Sequence, residues 1–230
     1  MNEDNLLSAT AGYVDTLSFV ALFGLFTAHV TGNFVLIGGE VAGYGQGVFL
    51  KLMAFPAFIL GVALSSFIIR GQNAETPMRG ACMLYAVQGL LLLAFCLAGV
   101  RLGSNFNLED SAVVVCGMIG ATAMGVQNAH SRLVARPGVP NTVMTGNVTQ
   151  VILDALDLCS RGVAADTKTA ARTRITKMLP AIAAFGLGAV AGALAYKNFG
   201  FWALLLPVIG LAWLAIRAWM HRNTAGKLAS

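Results

Sequence analysis

Apolar positions along this chain come in long continuous blocks with no alternation. No Asp, Glu, Lys or Arg interrupts residues 16–39, 52–69, 80–100, 111–131, 178–196 or 198–216. A bilayer core asks for roughly 20 apolar residues in helical form, and a run of about 18 already marks a candidate span. In hydrocarbon only helices or closed barrels satisfy every backbone N–H and C=O, and unbroken runs read as helices. The pattern therefore predicts an all-α integral membrane protein with six transmembrane helices, short connections and no soluble domain.

Composition agrees. The 230 residues are 57% apolar and 11% charged, with 26 Gly, whereas ordinary soluble domains carry about 25% charged residues. A chain this small cannot enclose so much apolar surface in a core of its own, which excludes a soluble enzyme and a disordered tail. The opening Met1-Asn2-Glu3-Asp4-Asn5 is acidic and lacks the basic start of a cleaved signal, so the first run, drawn over 6–26, is expected to stay as a span. Cys82, Cys96, Cys116 and Cys159 are scattered, and no metal, redox centre or other cofactor is expected.

With the N-terminus in the cytoplasm and six crossings, twelve of the 15 Lys and Arg fall on the cytoplasmic side. Only Lys51, Arg101 and Lys197 fall outside. This positive-inside bias places both termini in the cytoplasm. The net charge of +5 thus has a membrane origin, and no nucleic-acid partner is expected. Tyr196, Trp202 and Trp219 suit interfacial aromatic belts.

The two halves of the chain repeat each other. Gly12-Tyr13-Val14-Asp15 resembles Gly125-Val126-Gln127-Asn128 at an offset of 113, and Thr31-Gly32-Asn33 recurs as Thr145-Gly146-Asn147 at 114. Glu40 and Asp154 follow seven residues beyond each Asn. Phe58-x-x-Gly61 matches Phe185-x-x-Gly188 at 127, the extra residues falling in a polar stretch. Repeat 1 covers about 6–105 and repeat 2 about 110–220 of a single membrane domain spanning 1–230, with a cytoplasmic loop near 160–176 and a basic tail at 220–230. Three spans per repeat is an odd number, so the copies must be inverted, an architecture recurrent in secondary transporters.

Each Thr-Gly-Asn element is expected to break its helix and open a re-entrant or interfacial segment, 34–47 in the first half and 148–160 in the second. Glycine frees the backbone, and Thr or Asn caps the helix that follows. An open helix N-terminus attracts anions and carbonyls. Helix capping alone would explain the same residues. Asp15 stands inside the first span, where a carboxylate is costly unless paired, protonated or wet. That makes it the candidate to carry a coupling proton, since burial disfavours the charged form, although an interhelical hydrogen bond would also account for it. Its repeat mate is Asn128, with Gln127 beside it and His130 two residues on.

The candidate substrate-binding residues are therefore Asp15, Thr31, Gly32, Asn33, Gln127, Asn128, Thr145, Gly146 and Asn147, and the candidate proton relay is Asp15, His29 and His130. Gly188-x-x-x-Gly192 and Ala121-x-x-x-Gly125 permit close helix contact, and Pro56, Pro180 and Pro207 fall within spans.

The blocks Gly12-Tyr-Val-Asp-x-x-Ser-Phe19, Val30-Thr-Gly-Asn33, Met124-Gly-Val-Gln-Asn-Ala129 and Met144-Thr-Gly-Asn147, in this order, resemble the YoaK-like family of small multipass bacterial membrane proteins. The resemblance spans nearly the whole chain. It implies residence in the bacterial cytoplasmic (inner) membrane and brings no substrate or catalytic residue. Three functions stay open: a carrier of a small polar or anionic solute, coupled to protons through Asp15; a non-transporting scaffold or assembly factor; and, least supported, a membrane-embedded enzyme. The first, non-enzymatic, is the expectation, with the lipid bilayer and an unidentified solute as partners and a homo-oligomer left open.

Overall fold

The computed structural model describes residues 2–71, 77–103, 107–108, 110–134 and 139–228. Arg136, counted above among the cytoplasmic charges, and the last two residues of the basic tail lie outside them. The described residues form α1 (Glu3–Ala21), α2 (Gly32–Val41), α3 (Val48–Arg70), α4 (Pro77–Leu102), α5 (Ser111–Leu133), α6 (Met144–Cys159), α7 (Ala165–Phe199), a 3-10 turn (Gly200–Leu204) and α8 (Leu205–Leu228). The all-α expectation holds among these residues.

Four helical stretches are long and apolar enough to cross a bilayer: Val48–Arg70, Arg79–Leu102, Ser111–Leu133 and Ala165–Met220. The last, 56 residues long, is α7, the 3-10 turn and α8 joined end to end. Helix α1 falls short of the apolar threshold for a plain reason. Ser8, Thr10, Asp15 and Ser18 are all buried, so α1 turns its polar positions toward protein rather than lipid, with Asp15 and Ser18 hydrogen-bonded there. Long runs of exposed apolar side chains sit on the outer helices, including Ile59, Leu60 and Phe67 of α3 and Leu187 and Val190 of α7. That is the inverse of a water-soluble surface.

Three boundaries differ from the sequence expectation. The first helix ends at Ala21 rather than 26, because Phe23 and Gly24 both adopt the left-handed region, at φ 52° and 79°. The segment expected over 34–47 is a ten-residue helix followed by a turn with Gly43, Gly45 and Gly47 all at positive φ. Most of the loop expected at 160–176 is helical, since α7 already begins at Ala165. The run 165–177 lacks Gly and Pro and is rich in Ala, Lys and Arg, all good helix formers. At 35 residues, α7 is about 52 Å long and outreaches a hydrocarbon core of about 30 Å.

The main helix pairs are α1 with α7, α3 with α5, α4 with α8 and α4 with α5; α6 packs on α7 and α2 on α3. Two crossings are exceptionally close. A Cβ on Gly12 would collide with the Phe185 carbonyl, and one on Gly188 with that of Ala9. In the other crossing a Cβ on Gly61 would meet the Thr122 carbonyl and one on Gly125 that of Phe58. Bare glycine backbone is what lets these helices touch, as in small-residue packing of membrane helices.

Candidate functional site

The polar residues of the first half converge on the turn between α1 and α2. Asp15, only 3% exposed, sits near the end of α1 and its Oδ1 accepts hydrogen bonds from the backbone N–H groups of Thr27 (2.8 Å) and Ala28 (2.7 Å). Its Oδ2 is 2.7 Å from His29 Nδ1. Ser18 Oγ and Thr27 Oγ1 lie 3.0 Å apart. From the other side Asn33 staples the same turn: Nδ2 donates to the Phe26 carbonyl (2.8 Å), and Oδ1 accepts from the Phe26 N–H (2.9 Å). A carboxylate receiving several backbone N–H groups is held firmly in place.

The ring of His29 is a third exposed and packs edge-on against Phe185 of α7. Its bond to Asp15 raises its pKa above the ordinary histidine value, against a smaller opposing effect of burial. This turn therefore carries a partly accessible imidazole hydrogen-bonded to an otherwise dry carboxylate.

The second half builds a related arrangement. Asn147 Nδ2 donates to the Pro140 carbonyl at 2.7 Å, seven residues back, as Asn33 does to Phe26. The reciprocal bond is absent because proline has no N–H to give. Asn128 Nδ2 donates to Thr142 Oγ1 at 2.6 Å, where Asp15 has His29 and its neighbours. Asp15 and Asn128 thus each make these bonds within their own half. Gln127 Nε2 donates to the Leu7 carbonyl (2.7 Å) and Asn141 Oδ1 (3.2 Å), while Gln127 Oε1 accepts from Gln88 Nε2 (2.6 Å).

His130, 5% exposed, lies against the Tyr85 ring, and the Tyr85 hydroxyl donates to Glu3. Together with Glu3, Ser131 and Asn141 it lines a cavity of about 20 Å³, room for about one water molecule. Thr31, Thr145 and Gly146 are exposed and Gly32 is half-buried. Neither Thr31 nor Thr145 caps its helix through a side chain: Thr31 is the α2 N-cap without such a bond, and the α6 N-cap is Val143. The two Asn residues do the local work instead, by fastening the turn that precedes each helix.

Sequence reasoning singled out Glu40 and Asp154 but missed their partners. Lys51, 1% exposed, donates to Glu40, to the Phe23 carbonyl (2.7 Å) and to the Gln46 carbonyl (2.9 Å). Arg174 grips Asp154 with Nε on Oδ2 (2.9 Å) and a terminal nitrogen on Oδ1 (2.6 Å), and holds that carboxyl below its ordinary pKa. Each pair ties a short helix, α2 or α6, to the start of the next long one. The available signal was a lone Lys at the head of an apolar run, eleven residues after a Glu. Gln88 and Tyr85 gave no signal, since only the fold brings α4 against α5.

The whole chain also has relatives. It is 28% identical over 208 residues to the UPF0700 transmembrane protein YoaK of Bacillus subtilis (strain 168), an alignment covering 89% of this chain and 88% of that one. No solved structure matches it. Residues 5–217 match the family described as "Protein of unknown function (DUF1275)". With nearly its full length inside that match and a transmembrane YoaK relative alongside, this chain is a membrane protein of the DUF1275 family.

Proposed function

We propose that this protein is a secondary carrier for a small polar or anionic solute in the bacterial cytoplasmic membrane, built from two inverted three-helix repeats and proton-coupled through Asp15. The supporting observation is the reciprocity of the two tight crossings. Gly12 against Phe185 becomes Gly125 against Phe58 when 113 is added to the first number and 127 subtracted from the second. Ala9 against Gly188 becomes Thr122 against Gly61 by the same operation. So α1 on α7 is the counterpart of α5 on α3, and α4 on α8 is its own counterpart.

In this reading α1, α3, α4, α5, α7 and α8 cross the bilayer and both termini are cytoplasmic. Helices α2 and α6, 10 and 16 residues long, are too short for a core of about 30 Å and sit at opposite faces. Exchanged inverted repeats permit one pair of helices to rock against the other around a central site. The side chains of Asp15, Asn33, Gln127, Asn128 and Asn147 already hold turns and helices together, so solute binding competes with those bonds. Opening a turn and binding solute become one event. Thr31, Gly32, Thr145 and Gly146 flank the mouths of the two turns, and His29 and His130 hand protons to and from the interior.

The test is flux in proteoliposomes together with solute-dependent melting in detergent, because a ligand bound only to the folded state raises Tm. Asp15→Asn is expected to fold and to lose the pH dependence of flux. Unchanged flux with an unchanged pH profile would remove Asp15 from the mechanism. Indifference to every small solute, with a protein partner copurifying, would favour a scaffold.

A further inference from the structure

The two halves also differ in how their last helix packs. Helix α4 packs closely on α5, while its counterpart α8 barely touches α1 and does not pack on α7 at all. A cleft of about 730 Å³ opens between α7 and α8, floored by Thr10 and Tyr13 of α1 and walled by Leu187, Ala191, Ile209 and Trp213. That volume is within the range of about 300–1,000 Å³ usual for small-molecule sites. A difference in chemistry accompanies it when α8 is laid on α4 by the shared Gly-Leu: Gln88-Gly89-Leu90 then falls on Ile209-Gly210-Leu211 at an offset of 121. In one half the amides of Gln88 and Gln127 bond α4 to α5. In the other the corresponding residues are Ile209 and Val14, which cannot form such a bond.

The cleft opens sideways. Its rim residues Leu187, Leu206 and Ile209 are 73%, 63% and 66% exposed, and in a membrane protein such a rim meets acyl chains. One end is charged: Arg217, an exposed residue, stacks its guanidinium over the Trp213 ring at 5.4 Å, one turn beyond the cleft wall. An apolar slot ending in a guanidinium complements an acyl chain ending in a phosphate, and Arg is suited to bidentate phosphate contact.

We infer that this cleft is a binding site for an anionic phospholipid, with one acyl chain between α7 and α8 and its phosphate on Arg217. The inference stands whether or not the protein transports. Native mass spectrometry and melting of the detergent-purified chain, with phosphatidylglycerol or phosphatidylcholine added, would test it. The expected result is one retained phosphatidylglycerol per chain and a raised Tm, with phosphatidylcholine weaker. Arg217→Gln should weaken phosphatidylglycerol binding about tenfold, equal to about 1.4 kcal/mol, while leaving the lipid-free Tm unchanged. Ala191→Leu, which fills the slot, should abolish retention of both lipids. Equal binding of the two lipids, or undiminished phosphatidylglycerol binding by Arg217→Gln, would overturn the inference. So would a stable dimer in light scattering that Ala191→Leu dissolves, because a second copy would then occupy the cleft.

Discussion

Asp15 and Asn33 clamp the turn at 22–31 from opposite sides, and His29 brings to that cluster an imidazole, a group that ordinarily changes charge near neutral pH. Because its pKa is higher in the folded protein, the folded state binds the proton more readily. The resulting stability is complete below about pH 6.5, the unfolded histidine value, and is lost as pH rises through the higher folded value. Melting temperature measured from pH 5 to 9 should therefore fall across that window in the natural protein. In His29→Gln the fall should flatten, and an unaltered profile would show that the pair with Asp15 does not contribute. At this scale the sequence was informative about identity and silent about partners. An intramembrane Asp announces itself by its cost, but that it receives the N–H groups of residues 27 and 28 depends on where the chain turns.

At the scale of elements, two short helices are each fastened to the next long one by an acid–base pair. The pairs are positioned alike and buried differently. The Lys51 side chain is 1% exposed and that of Arg174 41%. Breaking a wholly buried pair leaves an uncompensated charge and costs about 3–5 kcal/mol, whereas the Arg174 guanidinium is screened by water on its open side although Asp154 beneath it is buried. Lys51→Met is expected to lower the melting temperature sharply, and the double variant with Glu40→Gln to recover much of the loss. Arg174→Gln should cost less, because water reaches the gap it leaves. Equal losses from Lys51→Met and Arg174→Gln in detergent melting would contradict this ranking. The acids were visible in the sequence at matching positions. The bases were not, because α6 and α7 are longer than α2 and α3, and the inserted residues shift the cation by about one turn.

For the whole molecule, the decisive relation is between the two halves. The proposed six crossings, with α2 and α6 on opposite faces, predict opposite labelling sides. Cys159, exposed at the end of α6, should react with an impermeant maleimide only from the cytoplasmic side. Val41→Cys, in a Cys159→Ser background, places a thiol at the exposed end of α2 and should react only from outside. Labelling of both from one side would abolish the inverted arrangement.

The amino-acid sequence by itself determined the solvent, the helical class, the family and the duplicated motifs, since each follows from local composition or from matching letters at a fixed offset. It also marked Gly12, Gly61, Gly125 and Gly188 as small positions. Tertiary structure alone decided which helices those glycines bring together, because backbone contact across helices depends on chain reversal, which no local pattern encodes. It likewise decided that α1 hides its polar groups against protein, and that Gln88 and Gln127 join α4 to α5 while α8 stands off α1. Hydrogen-bonding capacity is a property of a residue; having a partner within reach is a property of the fold.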